Sequence, residues 1–191
     1  MAEDNGGRIR AIYLRTDDNK YSAVLGMYGT WIDWSVFDNN VKSAPIIKVL
    51  YQSIDSAGQF KVILSKILND SEAQPIEMSF HPWNKELGKA EFRSSIKVGR
   101  DNEKCIYFEF VGDTHKEPIR MYLVIDKGYQ IQNMALPKSS LSESGARAII
   151  EALTTLIRQA ILATQNRVPK SSITPDSSSP MQHSVGNDVP F

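Results

Sequence analysis

The sequence predicts an α+β fold: an antiparallel β-sheet domain closed by a long C-terminal helix, with a disordered tail behind it. Three observations carry this. Residues 8–132 break into short apolar or alternating segments separated by turn residues, the pattern of antiparallel meanders. Residues 140–165 carry apolar side chains at helical spacing. The last 26 residues hold six Ser and four Pro and few large apolar side chains, too few to offset the entropy of ordering them. The expected organisation is a flexible N-terminus (1–7), a folded body (8–165) with its helix at about 140–165, and a Ser/Pro tail (166–191).

Taken in order, residues 8–15 read as the first strand. Residues 21–37 read as a longer extended segment, with a bend or bulge expected at Gly26 or Gly29. Residues 44–54 are open: Ile46, Ile47, Val49 and Leu50 fit a helical stripe, while β-branching favours a strand. Ser56-Ala57-Gly58 reads as a turn before a strand at 60–68. A strand at 76–83 should end near Pro82. Residues 91–98 alternate, with Phe92, Ser94, Ile96 and Val98 on one face and Glu91, Arg93, Ser95 and Lys97 on the other. Residues 104–111 place Ile106, Phe108 and Phe110 on one face. Segments 119–126 and 129–134 complete the set around a Lys127-Gly128 turn. In the helix, Ser140 and Glu143 have the spacing of a capping box. Ala146, Ile149, Ile150, Leu153, Leu156, Ile157, Ala160 and Ile161 form its apolar stripe, opposite Arg147, Glu151, Arg158 and Gln159. The stripe is expected to seal the sheet, with a share left to meet a second subunit. No internal repeat is legible.

Composition narrows the function. Lys plus Arg equals Asp plus Glu at 22 each, for a formal net charge of zero. A polyanion binder with this balance must use a local basic face. Cys105 is the only cysteine, which excludes an intrachain disulfide. Met1 to Gly7 lack the apolar centre of a signal peptide. No apolar run has the length of a membrane span. The cytoplasm is the expected compartment, and the Asn69-Asp70-Ser71 sequon is a chance match.

An enzyme finds little support. His81, His115 and His183 are the only histidines, and no paired-histidine or Cys-x-x-Cys metal spacing occurs. A nucleophile elbow and a phosphate-cradling Gly-Lys-Ser/Thr motif are also missing. No catalytic residue, cofactor or metal is expected. Aromatic and cationic residues are instead interleaved along the strands. Tyr13, Tyr28, Trp31, Trp34, Phe37, Trp83, Tyr107, Tyr122 and Tyr129 alternate with Arg8, Arg10, Arg15, Lys48, Lys61, Lys66, Arg93, Lys97 and Arg120. Single-stranded nucleic acid needs this pairing, since bases stack on exposed rings while a basic groove tracks the phosphates. Strand parity sorts the set. Trp31 is expected outside and Trp34 in the core. Lys61, Arg93, Lys97 and Arg120 are the expected phosphate contacts, and Trp31, Tyr107 and Tyr122 the stacking rings. The competing reading of the same residues is a wet strand face whose rings only shield cross-strand neighbours. The competing function is a scaffold that binds no DNA and docks on a partner through its C-terminal peptide.

That peptide is Asn187-Asp188-Val189-Pro190-Phe191. Its last four residues, Asp188, Val189, Pro190 and Phe191, resemble the tip of bacterial single-stranded-DNA-binding proteins, where acidic residues precede Ile-Pro-Phe on a disordered tether. The resemblance implies that a partner holds the Phe191 ring in an apolar pocket and its carboxylate against a cation. Here Val189 replaces the Ile and Asp188 is the lone acid, so charge steering is weaker. In length, strand-then-helix order and tail, the whole chain resembles the phage Drc-type proteins, Whirly-like single-stranded-DNA-binding transcription regulators of podoviruses. This resemblance implies a Whirly-like fold, a homo-oligomer with a tetramer favoured, and cooperative coating of single strands. It also implies recruitment of a phage RNA polymerase or another replication or transcription protein, in the host cytoplasm.

Overall fold

The computed structural model describes residues 9–41, 44–51, 54–123 and 136–165. The expected flexible start, the segment 129–134 with its Lys127-Gly128 turn, the tail and its terminal peptide lie outside the described residues. The architecture is α+β. The described residues form two four-stranded antiparallel sheets, a two-stranded hairpin and two helices. The first sheet is a meander of β1 (Ile9–Arg15), β2 (Tyr21–Tyr28), β3 (Trp31–Asp38) and β4 (Ile47–Tyr51). Helix α1 (Ile54–Asn69) follows. The second sheet joins β5 (Ile76–Phe80), β8 (Ser94–Arg100), β9 (Ile106–Gly112) and β10 (Ile119–Tyr122) in that spatial order, and α2 (Lys138–Gln165) follows it. The hairpin β6 (Trp83–Asn84) and β7 (Lys89–Ala90) interrupts the link from β5 to β8. Four meander strands and a helix thus occur twice, a repeat of topology that the side chains do not reveal.

Local chemistry explains the departures from expectation. The segment 21–37 is two strands, because Gly29 takes φ +61° at the first position of a two-residue loop, with Tyr28 and Trp31 paired across it. Glycine at that position is the mark of a type II′ hairpin turn. Gly26 stays in regular pairing opposite Asp33. The expected strand 60–68 is instead the body of α1. Its buried residues Ala57, Phe60, Leu64, Ile67 and Leu68 recur at helical spacing, and Gly58 lies within the helix. The open segment 44–54 resolves into β4 and the first residue of α1. Trp83 leaves β5 for the hairpin. Regular alternation in β8 begins only at Ser94, and Phe92 before it is exposed.

Helix α2 begins before the expected capping box. The Leu141 N–H donates to the Pro137 carbonyl, so Ser140 lies inside the first turn. Glu143 pairs instead with Arg100 at 3.0 Å. Arg100 also donates to the Ile67 and Leu68 carbonyls at 3.0 Å, which satisfies orphan acceptors at the end of α1. One side chain, 4% exposed, thereby ties both helices to β8.

Both helices pack on the inward faces of the sheets. Trp34 is fully buried, with its ring 5.4 Å from Phe108 and 5.9 Å from Phe110. Phe60 of α1 meets Phe108 edge-on at 5.6 Å. Ala146, Ile149, Leu153, Leu156 and Ala160 of α2 join the same core. Ile161 and Leu162 near the end of α2 stay exposed. The helices cover the inward sheet faces, and the opposite faces carry the expected aromatic and cationic residues of the strands.

Candidate nucleic-acid interface

Pairing register assigns each outer face. On the second sheet, Glu77, Lys97, Glu109 and Arg120 form one row across all four strands. Glu109 is only 6% exposed. Its carboxylate accepts from Lys97 Nζ at 2.6 Å and from Arg120 at 2.8 Å. Burial pushes its pKa up, but hydrogen bonds from Lys97 and Arg120 outweigh burial and hold it below the ordinary carboxylate value. The same bonds raise the Lys97 and Arg120 pKa values. The row holds two acids and two bases, so it presents no net charge.

The rings of this face are also engaged. Tyr107 is 6% exposed. The Arg120 guanidinium sits 4.2 Å above its ring. Beneath it is Gly99, where a Cβ would come within 2.8 Å of the Tyr107 hydroxyl. Tyr122 meets Tyr107 edge-on at 6.4 Å, and burial raises its pKa. The structure therefore brings Lys97, Tyr107, Arg120 and Tyr122 together, as one self-satisfied cluster. Tyr107 is not an open stacking surface, contrary to expectation, because Arg120 already occupies its face.

The remaining expected contacts are dispersed. Lys61 lies on α1, on the helix side of the sheets. Arg93 precedes β8 and is bound to Asp113 at 2.7 Å. Two histidines among the described residues stand against rings, His115 at Tyr21 and His81 at Phe92.

The first sheet presents a different face. Tyr28 is 61% exposed and Trp31 48%, and the two are cross-strand partners. Tyr13 is exposed on the same face, four residues along β2 from Tyr28 and so about 13 Å away. Ser22, Val24, Gly26 and Ser35 lie on the rows of this face and are buried. Arg10, Arg15 and Lys48 are its cations and Asp33 its only acid on the paired rows. Three bases against one acid give this face a local positive excess of two, in a chain with none overall. A β-bulge between Arg10 and Ile12 puts both Arg10 and Tyr13 on it. Asp33, 2% exposed, accepts the Ser35 hydroxyl at 2.7 Å and lies 3.9 Å from Lys48 Nζ. Tyr28, Trp31, Asp33, Lys48 and Leu50 line a recess of about 400 Å³.

Among the site residues expected from sequence, only Trp31 belongs to this face. Arg10, Tyr13, Arg15, Tyr28 and Lys48 were visible in the interleaved set, and the hairpin turn at Gly29 was the signal that could have joined them. Among the described residues, no group of three or more His, Cys, Asp or Glu side chains could hold a metal ion. No helix of the described residues is long and apolar enough to cross a membrane. Compared with known proteins, the chain matches no family model, no curated protein and no solved structure.

Proposed function

We propose that this chain binds single-stranded DNA, without catalysis, through the outer face of its first sheet. The observation that carries the reading is the exposed cross-strand pair Tyr28 and Trp31 on a face with a local excess of cations. Exposed rings accept unpaired bases face-on, and cations at the rim follow the phosphates. Duplex DNA hides its base faces and gains only the charge term. A role as a transcription or replication accessory, probed against a phage RNA polymerase, comes from the likeness to Drc-type proteins and from Asp188, Val189, Pro190 and Phe191. The homo-oligomer and the cytoplasmic location belong to the same proposal. The exposed Ile161 and Leu162 of α2 suit a subunit contact.

Fluorescence anisotropy with a single-stranded oligonucleotide, against duplex of equal length, tests the reading. Single strands should bind more tightly, with affinity falling as salt rises by a log–log slope near −0.7 per phosphate contact. Trp31→Ala should weaken single-strand binding by about 1–3 kcal/mol while leaving the melting temperature nearly unchanged. Equal affinity for duplex and single strand would sink the proposal.

A further inference from the structure

We propose that β5 is a contact between two copies of this chain, which pair their β5 strands antiparallel across a two-fold axis at Met78. The proposal gives a surface to the oligomer named above and does not depend on DNA binding. It starts from the fate of the four sheet edges. An edge strand offers unpaired N–H and C=O groups to any other strand, and proteins usually blunt it. β1 carries a bulge and ends in Arg15. β4 is covered, with Ser94 Oγ donating to the Lys48 carbonyl at 2.8 Å and Ile47 lying over Gly112 of β9. β10 is short and lies against β1. β5 has no such protection. Among the described residues it pairs with β8 alone, in unbroken register from Ile76 to Phe80.

Bond alternation gives the direction of its free groups. The Arg93 N–H donates to the Phe80 carbonyl at 2.9 Å, so Phe80 turns its backbone polar groups toward the β8 side. Ile76 and Met78 do the same, and Glu77 and Ser79 turn theirs outward. Pro75 and Pro82 bracket the strand and confine pairing to it, since neither has an N–H to donate. The side chains point to the same place. On the inward face of β8 and β9, Ile96, Val98, Phe108 and Phe110 are fully buried. Ile76, Met78 and Phe80 continue that face and are only partly buried, so the core stays open along this edge. Self-pairing closes both gaps. With Met78 opposite the partner's Met78, Glu77 and the partner's Ser79 become a hydrogen-bonded pair, as do Ser79 and the partner's Glu77. Ile76 then faces the partner's Phe80 on the apolar side. The two Glu77 carboxylates are offset, and each has Lys97 opposite it on its own β8. Centring the axis on Glu77 instead would set like charges face to face. The contact is isologous and closes on itself.

Sedimentation equilibrium of the full-length protein, free of nucleic acid, reads the contact. The wild type should be a dimer or a larger even assembly. Ser79→Pro removes an outward N–H at an exposed position that β8 does not use, so the chain should fold and its assembly mass should halve. Should that variant not fold, two charge variants at the same exposed site test the register. Ser79→Glu opposes the partner's Glu77, and by symmetry does so twice, so the dissociation constant of the contact should rise about tenfold. Ser79→Lys supplies the opposite charge and should lower it. Melting curves check the folding of each variant. A monomeric wild type would overturn the proposal and leave the edge to a strand of another protein. An unchanged mass in folded Ser79→Pro, or the same shift from Glu and from Lys, would overturn it as well. These masses are read without DNA, so a failure of single-strand binding would remove the proposed function and leave this contact standing.

Discussion

Glu109 decides the electrostatics of the second sheet. It is buried on an outer face, and the two cations nearest it spend their charge on it. Glu109→Gln should cost about 1.5–3 kcal/mol of folding stability, the range for hydrogen bonds to a charged group. The lower end is expected, because Lys97 and Arg120 are partly exposed and remain hydrated when released. The pH dependence follows from the lowered Glu109 pKa. Its stabilising contribution is fully present above the ordinary carboxylate value and is lost as pH falls through the lower, folded value. Melting curves of wild type and Glu109→Gln should therefore converge in acid and separate above about pH 5. Oligonucleotide affinity should scarcely change, although two cations are freed, if the first sheet is the binding face. Parity alone separated Trp31 from Trp34 and put Arg120 and Tyr122 outside. It could not show that Glu109 stands between Lys97 and Arg120, since cross-strand register is not written in either strand by itself.

Among the elements, the helices show how apolar runs mislead. In residues 60–68, β-branched side chains and a nearby glycine read as a turn and strand. What fixed α1 was the fit of Phe60, Leu64 and Ile67 against two sheets at once, a tertiary effect. The long α2 was legible because its stripe runs far beyond strand length. Its start was not, since Glu143 answers to Arg100 on a distant strand and not to its own helix end. Two glycines test these assignments with opposite signs. A Cβ at Gly58 meets nothing within 4 Å, so Gly58→Ala should stabilise the protein by about 0.5–1 kcal/mol through helix propensity. A Cβ at Gly145 would run into the Leu123 carbonyl oxygen, where α2 rests on the end of the second sheet. Gly145→Ala should therefore destabilise by roughly 1–3 kcal/mol or more, as overpacking does. Thermal or urea denaturation of the two variants reads both outcomes.

At the scale of the whole molecule, one topology is used twice with different surfaces. Each sheet keeps a buried acid on its third strand near a base on its fourth, Asp33 with Lys48 and Glu109 with Arg120. The first sheet leaves Tyr28 and Trp31 exposed, while Tyr107 on the second is covered by Arg120. The α+β class was legible from segment lengths and the helical stripe, but the repeat was not, because the two halves share positions and few residue types. The terminal peptide is a separate matter, resting on sequence alone. Removing Asp188, Val189, Pro190 and Phe191 should leave the melting temperature and oligonucleotide affinity nearly unchanged while abolishing pull-down of a polymerase or other replication partner. Loss of DNA affinity in that truncation would join the tail to the binding body. The body itself carries three tryptophans at three depths: Trp34 sealed in the core, Trp31 half-covered on the first sheet, and Trp83 standing free on the β6–β7 hairpin. Collisional quenchers reach the last, cannot reach the first, and compete with a stacked base for the one between. Light emitted by the unlabelled chain therefore has a fixed inner component and a fixed outer one, and any change on adding a ligand to the first sheet has a single address.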